Sequence, residues 1–442
     1  MGLVNSIYSY SDGIIKTRIS NSDSDAVKKR IADSIFAAYG ARSADPVRMS
    51  MKALLPSLGK YNSRIYFSDR KASVDTATFI NGSMTRYLDY NDTYLSKEAL
   101  HPSDNIPPIL AGADSLELKG MEAIKSIKVA YQVVCALADA ASIRDRGWDH
   151  VTYISISSAA GVAALMGLDQ DRFCNALNLA INNNISMRQT RAGELSMWKG
   201  CAAANAARNS VFAAVLAREG LTGPSPIFEG EMGFFRQVSG NLTLDLGKNR
   251  LDRTMIKSYP VEYHAMSGVD AALKLKERIR GRIKSVDVDT FSVAYRIIVG
   301  DREKLRPKTK ETADHSLPYI IAHTLLYGAP NPQSYTTRWL SDKSTLKLIN
   351  AMKFNISKTF DSKYPGYLPI RIRVRTDKGR FEEKVMVPRG HFRNPYSWDD
   401  LAAKGISVMK DENAVKEIIS FARHMESRDV SELFDVIANV SA

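Results

Sequence analysis

The sequence predicts a mostly α-helical protein with a smaller α+β domain set between two helical stretches. Helical periodicity runs through the first 270 or so of the 442 residues, and near Asp270 the apolar spacing changes to about two. Helical spacing returns at Trp398 and continues to the end of the chain. We therefore predict a large all-helical domain, residues 1–269 and 400–442, and a smaller α+β domain over residues 270–399.

The helices of the first part are predicted from apolar stripes and end signals. After Ser24, apolar residues recur on one face of a helix that polar residues cap. Residues 123–141 are apolar nearly all round, which predicts a central helix, and residues 171–181 and 202–219 share this character. Gly220 ends the last of these helices.

Strand patterns appear only in the second part. Apolar residues with a spacing near two predict strand structure over residues 283–295. Ile370, Ile372 and Val374 alternate with arginines, and a turn at residues 377–379 then leads into residues 381–387, which predicts an antiparallel hairpin. Helical patterns lie between these strands, over residues 316–326 and 345–351.

The charge balance narrows the range of partners. Sixty-one Lys and Arg residues against 48 Asp and Glu give a formal net charge of +13, which suits an acidic small molecule, a nucleic acid or a membrane surface. The basic residues are dispersed and form no aromatic-interleaved run, so we expect no nucleic-acid partner. The longest uncharged run, residues 151–168, is diluted by Ser and Gly, which predicts a buried helix rather than a membrane span.

Cysteine content and the missing motifs indicate chemistry without a cofactor. The three cysteines lack C-x-x-C spacing, which argues against a disulfide framework and most zinc or Fe–S patterns. The sequence contains no H-E-x-x-H, G-x-S-x-G or Walker motif and no G-x-G-x-x-G after a strand. Nucleophilic hydrolysis, ATP use and nicotinamide chemistry therefore lack their usual sequence support, and we expect no cofactor. With no signal-peptide pattern at the start, we expect a cytoplasmic location.

The segment of residues 188–209 is the most informative part of the chain. Arg188, Arg191 and Lys199 alternate with small residues, and an Ala-rich stretch follows. This pattern predicts a loop that carries positive charge into a closely packed helix, and hence a pocket for an anion. A solvated basic face is the alternative, and the segment alone does not decide between them.

Acidic residues and an imidazole cluster within residues 89–93 and 101–105. Asp89, Asp92 and His101 are the groups that general acid–base catalysis needs, because one group must take a proton while another donates one. The commoner use of such residues is a capped loop, in which Asp and Thr bond backbone amides. On these residues alone the capped loop is the favoured interpretation.

Further histidines lie beside charged residues. His150 follows Asp149 at the start of a predicted helix, where it is either a neutral base or a polar entry residue. His264 closes a segment that begins at Lys257. Asp314 and Ser316, on either side of a histidine, are interpreted first as helix caps. Packing or surface positions are predicted for His323 and His424.

Six blocks in order along the chain resemble the MmgE/PrpD family, and specifically its 2-methylcitrate dehydratase branch. The matching blocks are residues 81–92 with 101–105, 147–153, 188–209, 259–264, 306–319 and 388–398. Arg191 and the stretch of residues 194–199 favour the dehydratase branch. Asn91 departs from the family, which often has a second acid at this position, so Asp89 and Asp92 become the candidates for the acidic role.

The resemblance implies a helical domain built from both chain ends, a smaller α+β domain, a cleft between them and a homodimer. It implies metal-free removal of water from a tricarboxylate such as 2-methylcitrate, with citrate and cis-aconitate as further substrates. A decarboxylase of cis-aconitate and a catalytically silent tricarboxylate-binding protein are the alternatives. The family's pocket residues fall on Asp89, Thr93, His101, His150, Arg191, Lys199, Lys257, His264 and Tyr319.

Roles for these residues follow from the chemistry of the implied reaction. We expect His101 and His150 to transfer protons, Asp89 to orient or charge an imidazole, and Tyr319 to donate a proton to the leaving hydroxyl. Lys199, Arg191 and Lys257 would hold carboxylates and stabilise the charge that develops, with Lys199 counted among the catalytic residues. Thr93 and His264 are expected to contact substrate.

Overall fold

The computed structural model describes residues 2–193 and 195–440. Glu194, which belongs to the 188–209 segment, lies outside the described residues. Helices dominate both ends of the described chain, and one four-stranded sheet lies in its second part. The fold is mostly α with a smaller α+β region, as predicted from the sequence.

The first part of the chain forms a helical layer interrupted by two short hairpins. Its helices are α1 (Leu3–Lys16), α2 (Asn21–Ala41), α3 (Asp45–Leu54), α4 (Val74–Tyr87), α5 (Ile106–Ser115), α6 (Gly120–Ala140), α7 (Val151–Leu165), α8 (Gln170–Asn183) and α9 (Ala202–Arg218). The hairpins pair β1 (Asn62–Arg64) with β2 (Lys71–Ser73) and β3 (Tyr94–Leu95) with β4 (Ala99–Leu100).

The predicted helices of this layer are confirmed, with small shifts at their ends. Helix α2 begins before Ser24, because the side chain of Ser20 accepts a hydrogen bond from the backbone N–H of Asp23 and caps the helix there. Helices α6 and α7 are buried on nearly every side. Within the described residues, no helix is both long and apolar enough to cross a membrane.

The second part of the chain forms a sheet with helices on it. Its elements before the C-terminal helices are α10 (Met266–Arg278), β5 (Ile283–Thr290), α11 (Ser292–Ile298), α12 (Arg302–Leu305), α13 (Lys310–Ala313), α14 (Leu317–Tyr327), α15 (Thr337–Leu340), α16 (Lys343–Ile349), β6 (Met352–Ile356), α17 (Lys358–Asp361), β7 (Ile370–Thr376) and β8 (Gly379–Val385). The strand order is β6-β5-β7-β8, with β5 and β6 parallel and the other pairs antiparallel.

The β7–β8 hairpin confirms the alternating pattern seen in the sequence, with the register running from Ile370 opposite Val385 to Thr376 opposite Gly379. The prediction of strand structure through Val293 and Tyr295 is wrong beyond Thr290, because these residues lie in α11. Phe291, Ala294 and Ile298 are the residues buried there, and their spacing of three and four is helical.

The C-terminal tail returns to the helical layer, as predicted. It comprises α18 (Trp398–Met409), α19 (Glu412–Arg423) and α20 (Val430–Ala438). Helices α18 and α19 pack on α2, and α20 packs on α5. The larger buried cluster draws on residues 4–251 and 401–437, and the second on Leu95 and residues 255–385. The boundaries at 269/270 and 399/400 stay predictions.

In the contact between α18 and α2, Gly405 has no room for a side chain. A Cβ atom on Gly405 would lie 2.8–3.0 Å from three ring carbons of the buried Phe36, closer than side chains tolerate. We expect Gly405→Ala to lower the free energy of unfolding by about 1–3 kcal/mol, measured by urea denaturation. The matched control is Gly13→Ala in α1, where a Cβ atom would meet nothing within 4 Å. The better helix propensity of alanine should leave that variant up to about 1 kcal/mol more stable. Equal effects of the two changes would contradict the packing argument.

Candidate active site

A cavity of about 190 Å³ lies where the two buried clusters meet, with walls from both parts of the chain. Eight of the nine residues selected from the sequence line it, namely Asp89, Thr93, His101, His150, Arg191, Lys199, Lys257 and His264. They come from segments nearly 180 residues apart in sequence, and the fold brings them to one place.

The cavity carries an excess of positive charge. Among the described residues, its lining includes eight Lys and Arg residues against four Asp and Glu. The cations are Arg86, Arg144, Arg188, Arg191, Lys199, Lys257, Arg296 and Lys304. Lys199 is buried, so the basic residues of the 188–209 segment form a pocket wall and not only a solvated face. Such a lining favours a ligand with several negative charges.

Asp89 lies at the centre of the charged network and is 1% exposed. It follows the end of α4 in a left-handed backbone conformation, with φ of 53°. Its Oδ1 accepts hydrogen bonds of 2.7 Å from Arg86 Nη1 and from Lys257 Nζ, and Lys199 Nζ lies 3.7 Å from Oδ2. Burial acts to raise the pKa of Asp89, but these cations outweigh it and hold that pKa well below its usual range.

Lys199 connects this carboxylate to a second one. Its ammonium donates a hydrogen bond of 3.0 Å to Asp314 Oδ1, and Lys310 donates to the other oxygen of Asp314. His315 Nδ1 lies 2.6 Å from Asp314 Oδ1, and its Nε2 is 3.6 Å from Asp89 Oδ2. Burial lowers the pKa of Lys199 to about 8, although Asp314 and Asp89 oppose the shift. This ammonium is therefore charged near neutral pH and is a better proton donor than an ordinary lysine.

His150 forms a hydrogen-bonded unit with its neighbour in sequence. Its Nδ1 lies 2.9 Å from Asp149 Oδ1, and Arg191 Nε donates to the same carboxylate. Because a carboxylate only accepts, the proton of neutral His150 is on Nδ1 and its Nε2 carries a lone pair. Burial, with the nearby Arg191, lowers the pKa of His150 to about 4 although Asp149 opposes the shift. Among the described residues, neither His150 Nε2 nor Arg191 Nη2 finds a hydrogen-bond partner.

His101 is held in the same tautomer by different means. Its Nδ1 donates to the backbone carbonyl of Asp92 at 2.7 Å, which leaves Nε2 unprotonated in the neutral ring. Burial and the neighbouring Arg86 lower its pKa well below the usual value. The ring centroids of His101 and His150 are 5.8 Å apart. The cavity thus holds two neighbouring neutral imidazoles, and His101 Nε2 lies 3.7 Å from Asp89 Oδ1.

Two other residues selected from the sequence lie at the edge of this group. His264 Nδ1 is 2.7 Å from Glu262 Oε1, and its Nε2 is 3.3 Å from the hydroxyl of Tyr364. The hydroxyl of Thr93 donates to the carbonyl of Leu100. Both side chains line the cavity; the Thr93 oxygen can still accept a hydrogen bond, whereas both His264 nitrogens already have partners.

The structure corrects the position of Tyr319 and explains Asp92. Tyr319 does not line the cavity, and its hydroxyl donates to the backbone carbonyl of Ser334, so it is not placed to protonate a ligand. Asp92 accepts from the backbone N–H of Ser103 and from the hydroxyl of Tyr131. It therefore serves the capped loop that was the simpler interpretation of this segment.

Asn91, the departure from the family pattern, points away from Asp89. Its amide donates to Ser103 Oγ and to Asp104 Oδ1, and Asp104 is buried. Burial raises the pKa of Asp104 to about 7. An amide at position 91 is therefore compatible with the site, because a second carboxylate there would face Asp104 at hydrogen-bonding distance.

Reasoning from sequence missed Arg86 and His315 as cavity residues. Arg86 lies in the last turn of α4, where nothing in the sequence separates it from a surface arginine. His315 lies between two residues interpreted as caps, and only Ser316 has that role, accepting from the backbone N–H of Tyr319. The signal for His315 was the Asp-His pair, which repeats the pattern of Asp149 and His150.

Asp89, Asp314 and His315 also place oxygen and nitrogen atoms within 4.8 Å of one another, close enough to share a metal ion. Their oxygens already accept from, or lie beside, Arg86, Lys257, Lys199 and Lys310. A divalent cation would meet four positive charges around two carboxylates, which opposes binding. These carboxylates are therefore better suited to pairing with the Lys and Arg side chains around them than to binding a metal ion.

A buried cavity that combines surplus cations with oriented neutral imidazoles defines a candidate active site for acid–base chemistry on an anion. The models of the MmgE/PrpD N-terminal domain and the MmgE/PrpD C-terminal domain match residues 6–246 and 259–426. The chain therefore belongs to the MmgE/PrpD family.

Curated relatives agree with this assignment. The 2-methylcitrate dehydratase of Escherichia coli (strain K12) is 30% identical over 389 residues, 81% of this chain and 78% of that protein. The 2-methylcitrate dehydratase of Cupriavidus necator is 32% identical over 293 residues, 60% and 59% of the two chains. The mitochondrial 2-methylcitrate dehydratase of Yarrowia lipolytica is 27% identical, covering 78% and 69%. The chain is an enzyme of the carbon–oxygen lyase class.

The lowered pKa of His150 has a consequence for stability. An unfolded histidine takes up a proton near pH 6.5, whereas His150 in the folded protein stays neutral down to about pH 4, so acidification in that window favours unfolding. When the pH is lowered from 7.5 to 5, the free energy of unfolding should fall by about 1–2 kcal/mol less in His150→Gln than in the wild type, measured by urea denaturation.

Asp33 and Asp104 have pKa values raised to about 6 and about 7, so through them acidification stabilises the folded state. This contribution is the same in the wild type and in His150→Gln, and it cancels when their pH slopes are compared. His424→Gln, which removes an exposed histidine, is the matched control. Identical pH slopes for wild type and His150→Gln would contradict a buried neutral imidazole at this position.

Proposed function

We propose that the protein removes water from 2-methylcitrate to give 2-methyl-cis-aconitate, with citrate and cis-aconitate as further substrates. The proposal rests above all on one observation, which is that a surplus of cations and two neutral imidazoles line one cavity. The names of the relatives, 2-methylcitrate dehydratases, support the same substrate class. The reaction takes a proton from a carbon beside a carboxylate and protonates the leaving tertiary hydroxyl.

Substrate carboxylates bind to the cations whose hydrogen bonds are not all used within the protein. Arg191 holds Asp149 through Nε and has Nη2 free of any partner in the described structure, so its planar fork is available for a carboxylate. Lys257 and Arg86 stabilise the negative charge that develops as the C–H bond breaks, because they are already fixed by Asp89 and need no reorganisation.

His150 acts as the base in this proposal, with His101 next to it. The free Nε2 of His150 takes the proton, and Asp149 stabilises the imidazolium that forms through Nδ1–H. The electron pair of the C–H bond becomes the new C=C bond while the C–O bond breaks. Lys199 replaces Tyr319 as the proton donor to the hydroxyl, because its ammonium lines the cavity and its pKa is about 8.

The cavity also has an apolar part that suits the methyl group of 2-methylcitrate. Leu95, Leu195 and Ile297 belong to its lining. Contact of a methyl group with such side chains is worth about 1–3 kcal/mol, which is enough to favour 2-methylcitrate over citrate.

A homodimer remains part of the proposal. Met187, Met197, Trp198 and Phe212 are large apolar side chains that are 41–67% exposed and belong to one stretch around the 188–209 segment. Exposed apolar side chains in one stretch suit a protein interface, and a second copy of the chain is the partner that the family resemblance implies.

The central test compares substrates on chelator-treated enzyme. With 2-methylcitrate, we expect a new ultraviolet absorbance from the conjugated double bond, retained after chelation, and an aconitate-type product identified by mass spectrometry. Release of carbon dioxide from cis-aconitate would instead show a decarboxylase. Binding of tricarboxylates with no absorbance change would show a silent binding protein, and either result would overturn the proposal.

Separate variants test the base and the carboxylate contact. His150→Gln should lower kcat by about 10²–10⁴-fold, the usual contribution of a positioned acid–base group. Arg191→Met should mainly raise KM, by about 10- to 100-fold, because it removes charge-assisted hydrogen bonds to bound substrate. His323→Gln, at a buried histidine outside the cavity, is the matched control and should change neither constant by more than about twofold. Normal turnover by His150→Gln would refute its role as base.

A further inference from the structure

Residues 388–404, here called the brace, begin with the 388–398 block that the sequence analysis singled out, and none of them lines the cavity. The brace runs from the loop after β8 into α18. It contacts the chain next to Asp89 and Lys257 without lining the cavity. Its contacts are made to the backbone and side chains of the residues that flank this pair.

The first contact is a backbone pair beside Lys257. The N–H of Ile256 donates to the carbonyl of Gly390 at 3.1 Å. Gly390 has φ of 84°, and a Cβ atom there would lie 1.9 Å from the carbonyl oxygen of Ile256. Only glycine allows this approach, so position 390 sets the distance between the brace and the segment that carries Lys257.

The second contact is at Ser258, on the other side of Lys257. Ser258 Oγ donates to the carbonyl of Arg389 at 3.0 Å, and the hydroxyl of Tyr396 donates to Ser258 Oγ at 2.8 Å. The hydroxyl of Tyr90 donates to the carbonyl of Ser258 at 2.9 Å. Both residues that flank Lys257 are thus tied, and the side chain between them reaches Asp89 with little freedom.

The third contact is on the Asp89 side. Lys404, buried in α18, donates to the carbonyl of Tyr90 at 2.9 Å and to Asp33 Oδ1 at 2.5 Å. Tyr90 follows Asp89 directly, so one continuous stretch of chain holds the neighbours of both members of the Asp89–Lys257 pair. Such double anchoring limits the movement of a hydrogen-bonded pair to fractions of an ångström.

We propose that the brace positions the catalytic Lys257 against Asp89, and that Gly390 and Tyr396 are its positioning residues. The inference rests on the role given to Lys257 in the proposed function. Neither residue touches substrate, so each acts through the Ile256–Ser258 segment. Loosening the brace should weaken stabilisation of the developing charge and leave carboxylate binding at Arg191 intact.

Two tyrosines offer a matched pair of variants. Tyr396 and Tyr259 both line the same groove of about 480 Å³ on the outer side of the brace. The hydroxyl of Tyr396 is bonded to Ser258, whereas that of Tyr259 is bonded to Asp270. Phenylalanine at either position removes one hydroxyl and leaves the ring. Tyr396→Phe breaks a bond to Ser258 itself, whereas Tyr259→Phe leaves Asp270 bonded to the backbone N–H of Arg389, so only Tyr396→Phe removes a contact next to Lys257.

We expect Tyr396→Phe to lower kcat about 3- to 10-fold with KM within about twofold of wild type, and Tyr259→Phe to keep both constants within about twofold. The double variant Tyr396→Phe/Ser258→Ala should be no slower than Ser258→Ala alone, because Ser258→Ala already removes the oxygen that Tyr396 bonds together with the bond to Arg389. Gly390→Ala should have a larger effect, but Tyr396→Phe is the decisive variant because it introduces no clash.

A structural measurement separates this inference from the proposed function. In crystal structures of the two variants, the 2.7 Å contact between Lys257 Nζ and Asp89 Oδ1 should lengthen or become disordered only in Tyr396→Phe. An unchanged contact, or equal kinetic effects of the two tyrosine variants, would overturn the positioning role. Absence of turnover in the wild type would instead overturn the proposed function, and the crystal structures would still decide the inference.

Discussion

Neutralisation of the buried Asp89 carboxylate is the constraint on which the site depends. An unpaired buried charge costs several kcal/mol, so Asp89 requires the cations that surround it. Arg86 comes from α4, Lys199 from the segment before α9, and Lys257 from the chain between the two buried clusters. The carboxylate has all three cations only where these segments meet, so the charge balance of the cavity depends on both parts of the chain.

The same local contact, between an aspartate and the histidine that follows it, orients two of the imidazoles. In Asp149-His150 and in Asp314-His315, the carboxylate of one residue lies within hydrogen-bonding distance of Nδ1 of the next. Each carboxylate also accepts from a cation of the 188–209 segment, Arg191 in the first pair and Lys199 in the second. The two pairs come from opposite parts of the chain, so this segment links the helical layer to the α+β region through charge.

These networks suit the acid–base chemistry proposed for the cavity. Cations that are already paired keep their positions, and those with unused donors are free for substrate. Burial keeps His101 and His150 uncharged, so the groups that accept protons and those that hold carboxylates do not compete. The brace contacts the neighbours of Asp89 and Lys257 and does not line the cavity.

The sequence by itself determined the elements whose signal is local. Alternation with arginine and a turn specified the β7–β8 hairpin, and the apolar runs specified α6 and α7. Short motifs in family order located eight of the nine selected cavity residues. Strand β6 and the helix at residues 291–298 were not predicted, because a few apolar residues at an ambiguous spacing fit a strand and a helix equally.

Only the tertiary structure decided which side chains face the cavity. His315 and Tyr319 lie four residues apart, yet one lines the cavity and the other donates to Ser334 on the far side. His315 lies in the link between α13 and α14, whereas Tyr319 lies inside α14, where its hydroxyl reaches the carbonyl of Ser334. Arg86 was missed for a different reason, since its contact with Asp89 three residues later accompanies a left-handed conformation of Asp89 that the sequence pattern did not signal.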